Sequence, residues 1–361
     1  MATNVYERLA ARLNKIPLGF PPVEDGAHLR VLQWIFTPEE AEIASQMKLR
    51  GETAEELAGR LGLQPGNLRE RLEAMAKKGQ IRAWDSSTGR RYALIVFIGG
   101  IWENQLKRMD KKFARLTEDY FNKCGGRGLF DAAPALFKVI PINRAIRPEL
   151  EVYPFEIAEA MIKGAKSWGL RDCMCKKQRQ VSGESCKYPT SVCILLSQNK
   201  EHAFDNETVT KPITIEGAIA VLRKAEEAGL IHCSMNVQQG QPYICNCCTC
   251  CCVMLRGVVK WNQPHAFLKS NFVANVDEES CIGCGKCEAR CQFHALNTND
   301  GTCKVDTGLC VGCGVCSIAC QEGALGLVSR NPTERTTPPA SREDWMTQKA
   351  LSRGVDPSDL L

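Results

Sequence analysis

The sequence predicts an α+β chain of several domains, and three observations predict it. The first third carries no cysteine before Cys124 and is patterned as short amphipathic helices followed by a hairpin. The middle packs cysteines at a density that an ordinary core does not use, and near the C-terminus one four-cysteine run occurs twice. At 361 residues the chain is long enough for two or three domains with substantial cores. The composition shifts divide it into an N-terminal segment (1–27), a helix-and-hairpin domain (28–100), a helical linker (101–144), a cysteine-rich, mainly helical middle domain (145–272), a doubled-cysteine domain (273–328) and an extended C-terminal arm (329–361).

In the second of these, TPEEAEIASQMKL starts with Thr37 as a cap, Pro38 at the first helical position and acidic residues in the first turn. TAEELAGRLGLQPGNLRERLEAMAKKG then carries apolar residues at helical spacing on both sides of a break at Gly62 to Gly66. Leu57, Leu61, Leu68, Leu72 and Met75 would form its buried stripe. IRAWDSSTGRRYALIVF reads as two strands joined by the turn SSTG. Three helices followed by a hairpin resemble a winged-helix domain, which raises the question of DNA. Over Thr37–Tyr92 ten Lys/Arg face nine Asp/Glu, a net of about +1. Counterion release needs a marked cationic surplus, and Arg69, Arg71, Lys77 and Lys78 are interleaved with Glu70 and Glu73 as on a solvated face. Arg90 and Arg91 are the best candidate phosphate contacts. Docking onto a protein partner is the favoured use, with DNA as the alternative.

Twenty-one cysteines in runs are unlike a disulfide framework, and MATNVYERLAARLNKI has no apolar core of a secretion signal. The expectation is a reduced, cytoplasmic protein. The longest apolar stretch, ALIVFIGGIW, is about ten residues where a span needs about 20. A net charge of +5 gives no electrostatic footprint for nucleic acid unless it is concentrated on one face.

The doubled run is CIGCGKCEARCQ (Cys281, Cys284, Cys287, Cys291) and CVGCGVCSIACQ (Cys310, Cys313, Cys316, Cys320), each C-x2-C-x2-C-x3-C. Three closely spaced thiolates can wrap a loop around a cuboidal iron–sulfur cluster, and Gly283, Gly285, Gly312 and Gly314 let backbone N–H groups approach it. Zinc, which also takes four thiolates, more often uses two separated pairs. The eight cysteines, the glycines between them and the repeated tails CQFHAL and CQEGAL resemble the bacterial two-cluster 4Fe-4S ferredoxins over about residues 273–328. The resemblance implies that the fourth cysteine of each run serves the other cluster. Cys281, Cys284, Cys287 and Cys320 would hold one, and Cys310, Cys313, Cys316 and Cys291 the other. The departure is Gln292 and Gln321, where that family usually has proline.

Removing these eight from 21 leaves 13, and setting aside the isolated Cys124 and Cys303 leaves 11, enough for one or two more four-thiolate sites. Cys173, Cys175, Cys186 and Cys193 precede a helix ending at Gly229, with Cys233 beyond it. Cys245, Cys247, Cys248, Cys250, Cys251 and Cys252 then crowd into eight residues. The first four are expected to share a site with, or neighbour, the later run. Adjacent cysteines cannot all point one way in an extended segment, so some are expected to serve as supporting groups around a site or as ligands of a different cluster. A further iron–sulfur cluster, structural zinc and a redox-active dithiol or persulfide are the three readings. Asp172-Cys173-Met174-Cys175-Lys176 followed by Cys245-Asn246-Cys247-Cys248 resembles the central domain of ferredoxin-fused proteins of anaerobic bacteria, with Lys176 in place of arginine. That resemblance implies electron transfer in anaerobic metabolism.

His202, His232, His265 and His294 stand in no metal spacing with one another and read as ordinary surface or core histidines. No dinucleotide or nucleotide phosphate motif occurs. The arm reads as a segment that orders on a partner through Trp345 and Met346. Together these readings predict an electron-transfer protein or subunit that relays electrons through two 4Fe-4S clusters and a further middle-domain cluster to or from a partner oxidoreductase. The alternatives are a redox-sensing DNA-binding regulator and an oxidoreductase acting at an unusual middle-domain cluster.

Overall fold

A computed structural model describes residues 4–184, 186–298 and 301–358, which divide into two compact units. The first unit contains residues 4–133, 181–183 and 346–358 of those described, and the second residues 134–180 and 184–345.

The first unit begins with α1 (Val5–Lys15), so the N-terminal segment is helical; it packs on α3 (Pro38–Gln46) and on α2 (Ala27–Ile35), which precedes α3 in the chain. Thr37 caps α3 as expected: its hydroxyl accepts from Glu40 N–H while the Glu40 carboxylate accepts from Thr37 N–H. The same reciprocal pair, Thr53 and Glu56, opens α4 (Ala54–Leu61), and Gly62 in the left-handed region closes it at φ +68°. Then α5 (Pro65–Lys77) begins on its proline. Leu57, Leu68, Leu72 and Met75 are buried, and Leu61 at the end of α4 is half-buried. The hairpin follows as β1 (Arg82–Ser86) and β2 (Gly89–Ala93), with Ser86 opposite Gly89 across the expected turn. A kinked turn at Phe97–Ile101, α6 (Trp102–Asn104) and α7 (Lys111–Cys124) complete this part. Phe20 lies 4.6 Å from Phe97 and 5.0 Å from Tyr120, ring to ring, and Trp34 stacks on Phe113 at 4.1 Å. Burial of each such ring is worth about 1.5–3 kcal/mol.

The second unit is organised by a seven-stranded sheet, which corrects the expectation of a mainly helical middle domain. In chain order its strands are β3 (Phe137–Ile140), β4 (Ser167–Asp172), β5 (Ser191–Ser197), β6 (Lys211–Ile213), β7 (Ile231–Met235), β8 (Tyr243–Cys247) and β9 (Phe267–Leu268). Across the sheet they run β6-β4-β5-β8-β7-β3-β9, antiparallel except for the β3–β9 pair. Cysteines occupy positions where valine or isoleucine would mark a strand, so β5 and β8 read as parts of the cysteine segments, and β7 carries the cysteine that lies between them. The region called a linker likewise supplies β3.

The two faces of this sheet differ chemically. Ile194 and Leu196 of β5 and Ile244 of β8 bury themselves against α8 (Ala158–Lys163) and α10 (Ile215–Ala228) through Met161, Ile162, Ala218 and Leu222. The alternate positions, Cys193, Cys233, Cys245 and Cys247, lie on the opposite face. Helix α10 stops at Gly229 in the left-handed region, as its sequence predicts. Helices α9 (Met174–Val181) and α11 (Val253–Val259) flank the cysteine segments.

The doubled-cysteine segment is bracketed by β10 (Phe272–Val276), paired from Phe272↔Ser329 to Val276↔Leu325 with β13 (Leu325–Ser329). Between them lie α12 (Lys286–Arg290) and a small pair, β11 (Leu296–Asn297) and β12 (Lys304–Val305). The arm is corrected too: α13 (Arg342–Arg353) is helical, and Trp345 is buried within the fold, its indole N–H donating to Ala135 C=O at 2.8 Å.

Candidate metal centres

All 21 cysteines are free thiols, and 20 of them gather in four groups inside the second unit. Cys124 belongs to the first unit, where its thiol donates to Arg127 C=O at 3.1 Å and burial pushes it up to about 11.

The doubled run surrounds two cavities. One is lined by Cys310, Cys313 and Cys316 with Cys291, the last cysteine of the other run. The second is lined by Cys281, Cys284 and Cys287 with Cys320. The loops that hold them depend on close backbone approach. A Cβ on Gly312, at φ +69°, would stand 2.0 Å from the carbonyl oxygen of Phe272; on Gly283, at φ +62°, it would stand 2.3 Å from that of Gly301. Backbone N–H groups point at the sulfurs: Ala274 to Cys310 at 3.5 Å, Ala295 to Cys291 at 3.4 Å and Cys303 to Cys281 at 3.4 Å. The thiol of Cys303, which its sequence isolation had set aside, also reaches Cys287 at 3.5 Å and lines the second cavity. Burial pushes the thiols of Cys313 and Cys303 up to about 12 and that of Cys316 well above its usual value. A metal that bonds these sulfurs would displace their protons to solvent.

Both glutamines that stand in place of proline use side chains that proline lacks. Gln292 accepts from Thr249 N–H at 2.9 Å and donates to Gly229 C=O at 2.6 Å, so it ties the cysteine before it to the 245–252 run. Gln321 accepts from the Lys286 ammonium beside the second cavity.

The middle cysteines separate into two groups. Cys186, Cys248, Cys250 and Cys251 have all four sulfurs within 4.8 Å of one another, with Cys250 exposed and Cys186 half-buried. The turn after β8 brings three of them together through Cys252 N–H to Cys248 C=O at 3.0 Å, and the Cys250–Cys248 sulfur contact is 3.3 Å. The remainder face the other way. Cys173, Cys175, Cys193, Cys245, Cys247 and Cys252 are linked sulfur to sulfur, with Cys233 in contact with Cys247. Two adjacent pairs are divided, Cys247 from Cys248 and Cys251 from Cys252, whereas the neighbours Cys250 and Cys251 stay in one group with their sulfurs 3.6 Å apart. Of the first four middle cysteines, Cys186 goes to one group and Cys173, Cys175 and Cys193 to the other. Lys176, whose Nζ donates to Asn246 C=O at 3.0 Å, is buried among thiols of both. Burial opposes its charge, and the thiols around it outweigh that and hold the ammonium above its usual range.

The sequence of the first cysteine run decides the family of that segment. Residues 274–297 match the 4Fe-4S binding domain family. No curated protein and no solved structure matches the chain. The 4Fe-4S binding domain thus accounts for β10 through β11 and for Cys281, Cys284, Cys287 and Cys291. The chain has an iron–sulfur binding segment, and its thiol groups fit that chemistry: four-sulfur sets, glycine cradles and N–H donors aimed at sulfur.

The candidate phosphate contacts of the first unit are engaged within it. Arg90 pairs with Glu73 at 2.9 Å and Asp85 at 3.2 Å, and Arg91 donates to Gly51 C=O at 2.6 Å. Arg69, Arg71 and Lys78 pair with Glu55, Glu39 and Glu40. Of the histidines, exposed His202 pairs with Asp205 at 3.0 Å and buried His232 meets Asn246 at 2.5 Å. No described helix is long and apolar enough to cross a membrane.

Proposed function

We propose that this protein is an iron–sulfur electron carrier, relaying single electrons through two 4Fe-4S clusters and a further middle-domain cluster to or from a partner oxidoreductase of anaerobic metabolism. Cys281, Cys284, Cys287 and Cys320 hold one cluster, Cys310, Cys313, Cys316 and Cys291 the other, and Cys186, Cys248, Cys250 and Cys251 the third. The observation that carries the reading is the exchange of fourth cysteines between the two cavities, each completed by the opposite run. Bound clusters of this kind supply reversible one-electron exchange at potentials set by hydrogen bonds to sulfur and by exposure.

The chain's own groups do the rest. Ala274, Ala295 and Cys303 N–H donors stabilise negative charge on the ligand sulfurs, which raises the potential. Buried Cys310, Cys316, Val311 and Leu327 keep water from the first cavity. Exposed Cys284 and Ile282 open the second towards solvent and give a docked partner its approach. Helices α3, α4 and α5 followed by the β1–β2 hairpin support a winged-helix-like domain, used to dock a protein partner because Arg69, Arg71, Lys78, Arg90 and Arg91 are already engaged within it.

Anaerobic purification with iron, sulfide and zinc quantification tests this. At least about eight iron and eight sulfide per chain are expected. Cys320→Ser should remove one cluster's signal while Cys303→Ser, its neighbour in the cavity, keeps both. Fewer than about eight iron, or zinc in their place, would end the reading.

A further inference from the structure

The six sulfurs of Cys173, Cys175, Cys252, Cys247, Cys245 and Cys193 form a closed circuit. Cys173 contacts Cys175 and Cys193; Cys175 contacts Cys252; Cys252 contacts Cys247; Cys247 contacts Cys245; and Cys245 returns to Cys193. The supports of this ring are rigid. Cys193 of β5 and Cys245 of β8 stand abreast by the Ile194↔Ile244 register, on the face away from the apolar core. Cys247 follows two residues later on the same face, Cys175 sits in the first turn of α9, and Cys252 caps α11. One further thiol, Cys233, meets the circuit through Cys247.

A single cubane offers four iron corners, one thiolate each, so six ring thiols exceed its needs by two. They also do not converge as Cys186, Cys248, Cys250 and Cys251 do, whose four sulfurs all lie within 4.8 Å of one another. Two cubes joined through one shared sulfide leave six corners for protein, three on each half. We infer that the six-thiol ring holds one iron–sulfur assembly of about eight iron, distinct from the neighbouring four-thiol site. Each thiol gives its proton to solvent as its sulfur bonds iron, and iron and sulfide are supplied as ferrous ion and inorganic sulfide. Buried Lys176 beside the ring offsets part of the resulting negative charge. Cys233 stands opposite Cys245 and meets the ring through Cys247, off the closed circuit, so the six corners are assigned without it.

The inference rests on the proposed function only in taking the chain as iron–sulfur, and the test keeps the two apart. The full chain carrying Cys186→Ala, which disables the neighbouring four-thiol site, is reconstituted anaerobically with ferrous iron and sulfide. About sixteen iron per chain are expected to remain, eight in the doubled run and eight in the ring; twelve or fewer overturns the inference. Mössbauer spectra of Cys175→Ser and Cys245→Ser, on α9 and β8, should lose the same component, whereas Cys233→Ser keeps it. Loss of different components in the two variants would mean two ordinary clusters and would also overturn it. Ferredoxin-type EPR signals that persist while the ring component is missing sink this inference alone; their absence sinks the electron-carrier reading.

Discussion

Replacing Gly312 with alanine separates two costs that a cluster loop imposes on its backbone. A left-handed conformation costs a non-glycine residue about 1–2 kcal/mol, and Gly285→Ala, at φ +72° with nothing nearer its Cβ than Thr298 Oγ1 at 3.5 Å, carries that cost alone. Gly312→Ala adds a contact of 2.0 Å with the carbonyl oxygen of Phe272 and one of 2.2 Å with Ser270 Oγ. The side-chain hydroxyl can turn aside, but Phe272 is the first residue of the β10–β13 ladder and is buried, so its carbonyl moves only if the strand does. Overpacking of this sort costs about 1–3 kcal/mol more, for a total of about 2–5. At about 2–4 °C per kcal/mol for a unit of this size, Gly285→Ala should lower the melting temperature by a few degrees and Gly312→Ala by about 10 °C. The assay is anaerobic thermal unfolding followed by loss of cluster absorbance, with iron content measured beforehand. Equal shifts in the two variants would refute the argument that backbone contact, beyond φ, fixes this loop.

Gln292→Ala removes the hydrogen bonds to Thr249 and Gly229 and should destabilise the second unit by about 1–3 kcal/mol, read as a lower denaturant midpoint; no change would show the tie to be idle. Trp345→Ala empties a fully buried site and should cost about 3–5 kcal/mol, with limited proteolysis then cutting within α13. Burial holds Lys138 down at about 7, below its ordinary 10.5, so between those values the unfolded chain binds more protons and stability rises with pH. Compared with Lys138→Met, the native chain should gain stability from pH 7 to pH 10, and parallel curves would contradict this. Duplex DNA at low salt should show no strong, steeply salt-dependent binding, because the cations that would meet phosphate are already paired; a steep slope would revive the regulator reading.

Local chemistry was legible in the sequence. Thr37 and its first-turn acids, Gly229 at the end of α10, and the two residues between Ser86 and Gly89 each carry their instruction within four positions, and all formed as read. The sheet was not legible because β8 spends alternate positions on cysteine, and β5 and β7, with one cysteine each, stand beside dense cysteine segments that draw the reading to ligands. Helix α13 was missed because few apolar side chains mark its face and its order comes from Trp345. Within the site, strand alternation places Cys245 and Cys247 on one face, while the turn after β8 and the start of α11 divide Cys248, Cys250 and Cys251 from Cys252. The positions of Cys303 and Cys233 did not follow from that alternation, since one meets its neighbours across the turns of the doubled run and the other across a β7–β8 pairing.

The opposed faces of that sheet make metal loading a check on strand register. A slip of one residue in β8 would carry Cys245 and Cys247 into the apolar layer and present Ile244 and Asn246 to the thiols, breaking both sides at once. A misregistered chain therefore has no complete ring to fill, and iron taken up there selects the chains that have paired correctly.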